Sequence, residues 1–213
     1  MTKVYDAIII PTGEPTSGED AFPVSQQALK LFDLDRFGFI FVTGGYGGFS
    51  KAKPGKTKSE AKSTVEYLIR QGISPMKIFS DAQSLETLGN FTFPEVKPLK
   101  GNPKFSDFEK ALVIGQEGHV WRMEDYADIV FPSYSKRKKI EFLEIAGKHN
   151  DGLLARVYHA GFMNVLRGNK GAERAHEFLV NNHPFYSDGW YDKSVPTRKI
   201  ITAATGLSWL VKQ

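Results

Sequence analysis

Phe39-Ile-Phe-Val-Thr43 followed by Gly44-Gly45, and then, past a lysine-rich loop, Ser59-Glu-Ala-Lys-Ser-Thr-Val-Glu-Tyr-Leu-Ile-Arg70, is the stretch that decides the fold class. The first part is a short apolar run rich in β-branched and aromatic residues, the composition of a strand covered on both faces. In the second, Ala61, Val65, Leu68 and Ile69 fall at i, i+4, i+7 and i+8, one buried stripe of a helix. Ser59 stands where an N-cap belongs, Gly72 where a left-handed C-terminal residue belongs, and Pro75 prevents continuation. A strand, a glycine turn and a capped helix in that order make a βα unit.

Working outward, the same alternation recurs. Val4-Ile10, Lys77-Ser80, Ala111-Gly115 and Ile129-Phe131 read as further strands; Val24-Leu34, Ser84-Phe93 and the short Trp121-Tyr126 read as helices between them. Right-handed crossovers then give a three-layer α/β/α Rossmann-like sandwich with a mainly parallel sheet of about five strands. From residue 136 the pattern turns mostly helical, over Lys136-Lys148, Leu153-Leu166 and Ala172-Asn182, before an irregular aromatic segment at Pro184-Pro196. The expectation is one α/β domain over 1–213, with a core at 4–135 and a helical C-terminal third at 136–213. That third has three open roles: capping the sheet, lining a cleft or forming a homodimer contact.

Composition narrows the chemistry. The 213 residues contain no cysteine, which excludes disulfides, thiolate–metal sites and a cysteine nucleophile. Ala7-Ile10 is too short to span a bilayer and no signal-peptide pattern follows it, so the expectation is a cytoplasmic protein with no membrane partner. A net charge of +4, from 28 basic and 24 acidic residues, falls short of a nucleic-acid footprint. Lys51, Lys53, Lys56 and Lys58 and then Lys136-Arg137-Lys138-Lys139 are nevertheless clustered; as an RNA surface they would need Tyr46, Trp121 or Trp190 to stack on bases.

In an open parallel sheet, ligands bind beyond the carboxyl ends of the strands. Four such turns carry glycine and hydrogen-bonding side chains: Pro11-Thr-Gly13-Glu14, Thr43-Gly-Gly45, Asp81-Ala-Gln-Ser84 and Gly115-Gln-Glu-Gly-His119. Glycine backbone N–H groups and the Ser59 helix start suit an anion, or else simply make a tight turn and a cap. Gly55-Lys56-Thr57 imitates the end of a P-loop, but Ser50 occupies the first required glycine position; no GxGxxG opens into a helix either. The histidines show no metal-binding spacing, and no serine nucleophile elbow can be read. His119 and Arg122, three apart, would share one helix face.

Asp6-Ala-Ile-Ile-Ile10, Val42-Thr-Gly-Gly45, Ser59-Glu-Ala61, the set Asp81, Ser84, Thr87 and Asn90, and His119 with Arg122 follow one another as in the YdcF-like family, which includes SanA and ElyC. The resemblance covers residues 4 to 135. Family members typically show Ser-Gly-Gly, Ser-Glu-Ala, Ser-x-Asn-Thr-x-Glu-Asn and His-x-x-Arg. This chain departs from them with Pro11-Thr12 for Leu-Gly, Thr43 for Ser, Glu86 for Asn, Gly89 for Glu, and a lysine-rich insertion before Ser59.

The resemblance implies a Rossmann-like fold and a cleft for a small polar or anionic ligand, nucleotide-like or phosphorylated. Some relatives are reported to bind S-adenosylmethionine, the one cofactor the resemblance suggests. Taken with the strand-end residues, the expected cofactor contacts are Gly13, Thr43, Gly44, Gly45, Ser59, Ser84, Thr87 and Asn90, and the expected catalytic residues are Glu60, Asp81, His119 and Arg122. The family's reaction is not assigned, so the alternative to an enzyme is a non-catalytic sensor or regulator in cell-envelope metabolism.

Overall fold

The computed structural model describes residues 5–12, 23–32, 37–46, 58–133, 139–146, 153–182 and 186. Gly13, most of the Lys51–Lys58 cluster, Lys136–Lys138 and Trp190 lie outside them. Five strands form one sheet in the order β3-β2-β1-β4-β5, every neighbouring pair parallel. They are β1 (Tyr5–Pro11), β2 (Phe37–Thr43), β3 (Ile78–Asp81), β4 (Lys110–Gln116) and β5 (Lys139–Ile145). The helices are α1 (Pro23–Phe32), α2 (Glu60–Arg70), α3 (Gly89–Val96), α4 (Val120–Val130), α5 (Leu153–Leu166) and α6 (Ala172–Asn182).

Alternation along the central strands sorts the core into two layers. Ala7, Ile9, Phe41, Ala111 and Val113 face one way and pack with Leu88 and Phe91 of the α3 region, Met123 and Tyr126 of α4, and Phe162 and Leu179 from α5 and α6. Ile8, Ile10, Ile40, Val42, Leu112 and Ile114 face the other way, toward Val24 and Ala28 of α1 and Ala61 and Leu68 of α2. This is the three-layer α/β/α arrangement that the sequence implies. On the first face, Phe41, Phe91 and Phe105 are fully buried, with Phe105 edge-on to Phe41 at 4.8 Å.

Two element assignments need correcting. Ile129-Phe131 is not a strand: α4 runs on to Val130, and Ile129 and Val130 are buried on it. The strand comes later, at Lys139–Ile145, inside the span expected to be the helix Lys136-Lys148. Ile140 and Phe142 pack on one core and Leu143 and Ile145 on the other, a period of two. Short apolar runs fit both periods, and seven consecutive partners along β4 decide for the strand. Among the described residues, the helices of the last third are α5 and α6, beginning at Leu153. The helix expected at Ser84-Phe93 begins at Gly89 instead, leaving residues 82–88 as a loop at the carboxyl edge.

Among the described residues, no helix is long and apolar enough to cross a membrane.

Candidate functional site

The sheet order reverses between β1 and β4, so the crevice of a doubly wound sheet opens above the ends of these two strands. The loop after β3 and the start of α4 meet there.

On the β2 side the glycine turn is built as expected but closed by its own hydrogen bonds. Thr43 O accepts from Thr12 N (2.6 Å) and Thr12 Oγ1 (2.7 Å). Gly44 N donates to Asp81 O at 2.9 Å and Gly45 N to Ser84 O at 2.7 Å. The first N–H groups of α2 point back at the same turn, Glu60 N to Gly45 O (2.8 Å) and Ala61 N to Gly44 O (2.9 Å). Ser59 completes the cap, its Oγ accepting from Lys62 N at 3.2 Å. The reading in which these N–H groups hold an anion is thus corrected: their hydrogens are committed within the protein.

Glycine is nevertheless required here. Gly44 has φ +141°, and a Cβ on it would fall 1.8 Å from Thr12 Oγ1; one on Gly45 would fall 2.2 Å from Ser84 O. The close approach that brings a glycine turn against a cofactor is used instead to bring three strand ends against one another. With Ser84 Oγ also donating to Asn90 Oδ1, the N–H groups of Gly44 and Gly45 and the Ser84 hydroxyl are all engaged within the protein. Thr43 Oγ1, fully buried, has no hydrogen-bond partner among the described residues.

The β3 and β4 side is different in kind. Asp81 ends β3 almost completely buried, accepting from Gln83 N and Gln83 Nε2, each at 2.9 Å. Burial pushes its carboxyl above the usual range, against the opposing pull of those two hydrogen bonds. Three residues past Ser84, Thr87 Oγ1 lies 3.0 Å from His119 Nε2, a hydrogen bond that ties the β3 loop to the start of α4. His119 is the N-cap of α4 and is half-buried; Arg122, in the first turn of the same helix, is also partly buried. Glu86 accepts from Leu88 N at 2.7 Å and also from Gly89 N, capping α3. Burial pushes its carboxyl up to about 7, while those N–H donors and the Arg122 charge pull the other way.

Sequence reasoning places Asp81, Ser84, Thr87, Asn90, His119 and Arg122 on one edge, and one network of bonds joins their loops to the glycine turn. Glu60 is buried in the first turn of α2, next to that turn. Glu86 stands in the sequence only as a departure from the family pattern; the signal that finds it is a carboxylate three residues before a helix-opening glycine, the spacing of an N-terminal cap. Tyr186 gives no sequence signal at all. Its hydroxyl accepts from Leu85 N at 2.7 Å, reaching the β3 loop from beyond α6. A Cβ on Gly89 would fall 2.5 Å from that hydroxyl and 3.0 Å from Glu86 Oε1, so the room for a side chain at 89 is taken by these two groups.

No family model matches the sequence, and no curated protein matches it.

Two further features lie outside this cluster. His159 on α5 is buried against α4, with Nε2 2.7 Å from Asp125 Oδ2, Nδ1 3.2 Å from Tyr126 Oη, and Trp121 edge-on at 4.5 Å. A cavity of about 320 Å³ lined by Glu95, Lys104, Lys170 and Arg174 lies at the far end of α3 and shares no residue with the carboxyl-edge cluster. Among the described residues, no group of three His, Asp or Glu is placed to hold a metal ion.

Proposed function

We propose that this chain is a YdcF-like small-molecule-binding protein whose ligand lies above β1 and β4, against His119, Arg122, Thr87 and Glu86. The observation that carries the reading is the Thr87–His119 bond. It joins two loops at the switch edge of the sheet, with a neutral-range carboxyl, Glu86, next to Thr87 in the chain and a cation, Arg122, one helical turn from His119. Arg122 supplies the charge for a phosphorylated or nucleotide-like ligand. Asp81, Glu86 and His119 supply groups that accept or donate a proton, which makes an acid–base reaction the chemistry this site supports best. The closed glycine turn favours a phosphate ligand held by side chains over S-adenosylmethionine held by backbone.

A thermal-shift screen against nucleotides, sugar nucleotides, sugar phosphates and S-adenosylmethionine tests this. A ligand at about 100 times its dissociation constant adds roughly 2.7 kcal/mol. Arg122→Ala should abolish the shift with the fold preserved, and Glu60→Ala should weaken it through the neighbouring turn. A ligand whose shift survives both substitutions would sink the placement.

The Leu85–Tyr186 bond favours a second reading, a non-catalytic sensor, because it links the site loop to the chain beyond α6. A sensor binds without turnover and changes oligomeric state with ligand; a gel-filtration profile indifferent to ligand removes it.

A further inference from the structure

α3 ends at Val96 and β4 begins at Lys110, so the segment between them lies at the amino edge of the sheet, away from the site proposed above. There Lys104, Lys170 and Arg174 line one cavity of about 320 Å³, together with Glu95, Glu173 and the turn at Gly171. Cations elsewhere in the molecule find a carboxylate: Lys58 lies 2.5 Å from Glu66, and Lys110 lies 3.1 Å from Glu141. Here two carboxylates share the cavity, yet among the described residues none of the three cations forms an ion pair with either. Glu95 gives both oxygens to Ser106, accepting from its N at 2.9 Å and its Oγ at 2.6 Å. The backbone under the cations is fixed. Lys104 N donates to Asp107 Oδ2, and Gly171 N, next to Lys170, donates to Ile129 O, each at 2.8 Å. Gly171 has φ +103° with nothing within 4 Å of a Cβ, so glycine serves the turn that brings Lys170 and Arg174 to the same space.

We propose that this cavity is a second binding site, for the phosphate group of a small molecule, held by Lys104, Lys170 and Arg174. The volume sets the size of the ligand. It stands at the lower end of the roughly 300–1,000 Å³ that small-molecule sites occupy, room for a phosphate and a few carbons. The charge sets the class: three cations against two carboxylates leave one positive charge in excess, and Glu95 already spends its oxygens on Ser106. Arg174 brings a planar fork that matches two phosphate oxygens, and the lysines add point charges. Glu95 and Glu173 in the same lining oppose a longer polyanion, which would run past the cations onto them. The site shares no residue with the carboxyl-edge cluster and stands independently of it.

Inorganic phosphate is the probe, titrated into the full chain by calorimetry at constant ionic strength in chloride. Lys104, Lys170 and Arg174 are exposed, so alanine at these positions leaves the core packing intact. Arg174→Ala should weaken phosphate binding about tenfold or more, and Lys104→Ala combined with Lys170→Ala should abolish it. Arg122→Ala, which disables the carboxyl-edge site, should leave this binding in place. Should Arg122→Ala misfold, NMR of the wild type gives the same answer: phosphate must move the amide resonances of residues 171–174, and unmoved resonances reject the site. Glycerol phosphate separates the two sources of the group. An ester that binds as tightly as phosphate assigns a phosphorylated small molecule, and one about tenfold weaker or more assigns free phosphate. Phosphate binding that survives the cavity substitutions but is lost in Arg122→Ala belongs to the carboxyl edge and overturns the second site. Absence of phosphate binding in the wild type overturns it too, as does capture of an oligonucleotide or an acidic peptide by these cations in place of phosphate.

Discussion

Around Gly44 and Gly45, each N–H that could meet a ligand ends on a carbonyl of the same turn network or of the β3 loop. On the β3 and β4 side, side chains take part in the contacts: Thr87 meets His119, Glu86 accepts from two backbone N–H groups, and two acids, Asp81 and Glu86, are held above their ordinary range by burial. The two halves sit on the same edge and are bonded together through Gly45 and Ser84. The first fixes geometry with neutral backbone contacts that are insensitive to pH. The second holds charge in a setting whose balance changes with protonation. A glycine-rich turn at a strand end thus does not by itself identify a ligand cradle; where its donors go does.

The sharpest way to break this comparison is to disturb the rigid half. Gly45→Ala places a methyl 2.2 Å from the Ser84 carbonyl, a backbone clash that no rotamer relieves. The expected loss is about 3 kcal/mol, or a melting temperature lower by roughly 6–12 °C in a chain of this size. A melt within a degree or two of wild type would mean that the turn is not the fixed half.

Next in size is the pH dependence of the titrating half. The folded-state pKa of Glu86, about 7, is raised above its ordinary 4.5. Its contribution to stability is therefore fully present below about 4.5 and lost as pH rises through 7. Glu86→Gln should flatten the stability profile between pH 5 and 8 by on the order of 1–3 kcal/mol, measured by urea unfolding across that range. Unchanged slopes would count against the burial of this carboxyl.

His176 on α6 supplies the opposite sign. It is buried, edge-on to Phe93 at 4.7 Å, with neither ring nitrogen hydrogen-bonded among the described residues. Burial and then the nearby Lys97 lower its pKa, so the stability it allows is present above the ordinary histidine value and lost as pH falls below it. His176→Leu should flatten the acid side, seen as a smaller drop in unfolding midpoint between pH 7 and 5. Smallest of all, Ser59→Ala removes the α2 cap at a cost of about 1 kcal/mol and should leave any ligand affinity intact, since the cap serves the turn.

The sequence was most readable where one element imposes one pattern. The α2 stripe, its Ser59 cap and the left-handed Gly72 could all be read because each residue type has a local physical reason to be there. β5 could not, because Ile140, Phe142, Leu143 and Ile145 satisfy a helical and a strand period alike until β4 is present to pair with them. In the site, His119 and Arg122 were legible as a strand-end pair, whereas the partners that define their surroundings are long-range. Thr87 reaches His119 across 32 positions, and no local pattern encodes that meeting.

The hydrogen bond from Leu85 to Tyr186 spans 101 positions. During synthesis at about 5–20 residues per second, the β3 loop waits roughly 5–20 s for this partner after its own residues have been made. In the growing chain the sheet can close on its strands well before the edge that carries Glu86 acquires its final contact, so the site is among the last parts of the molecule to be completed.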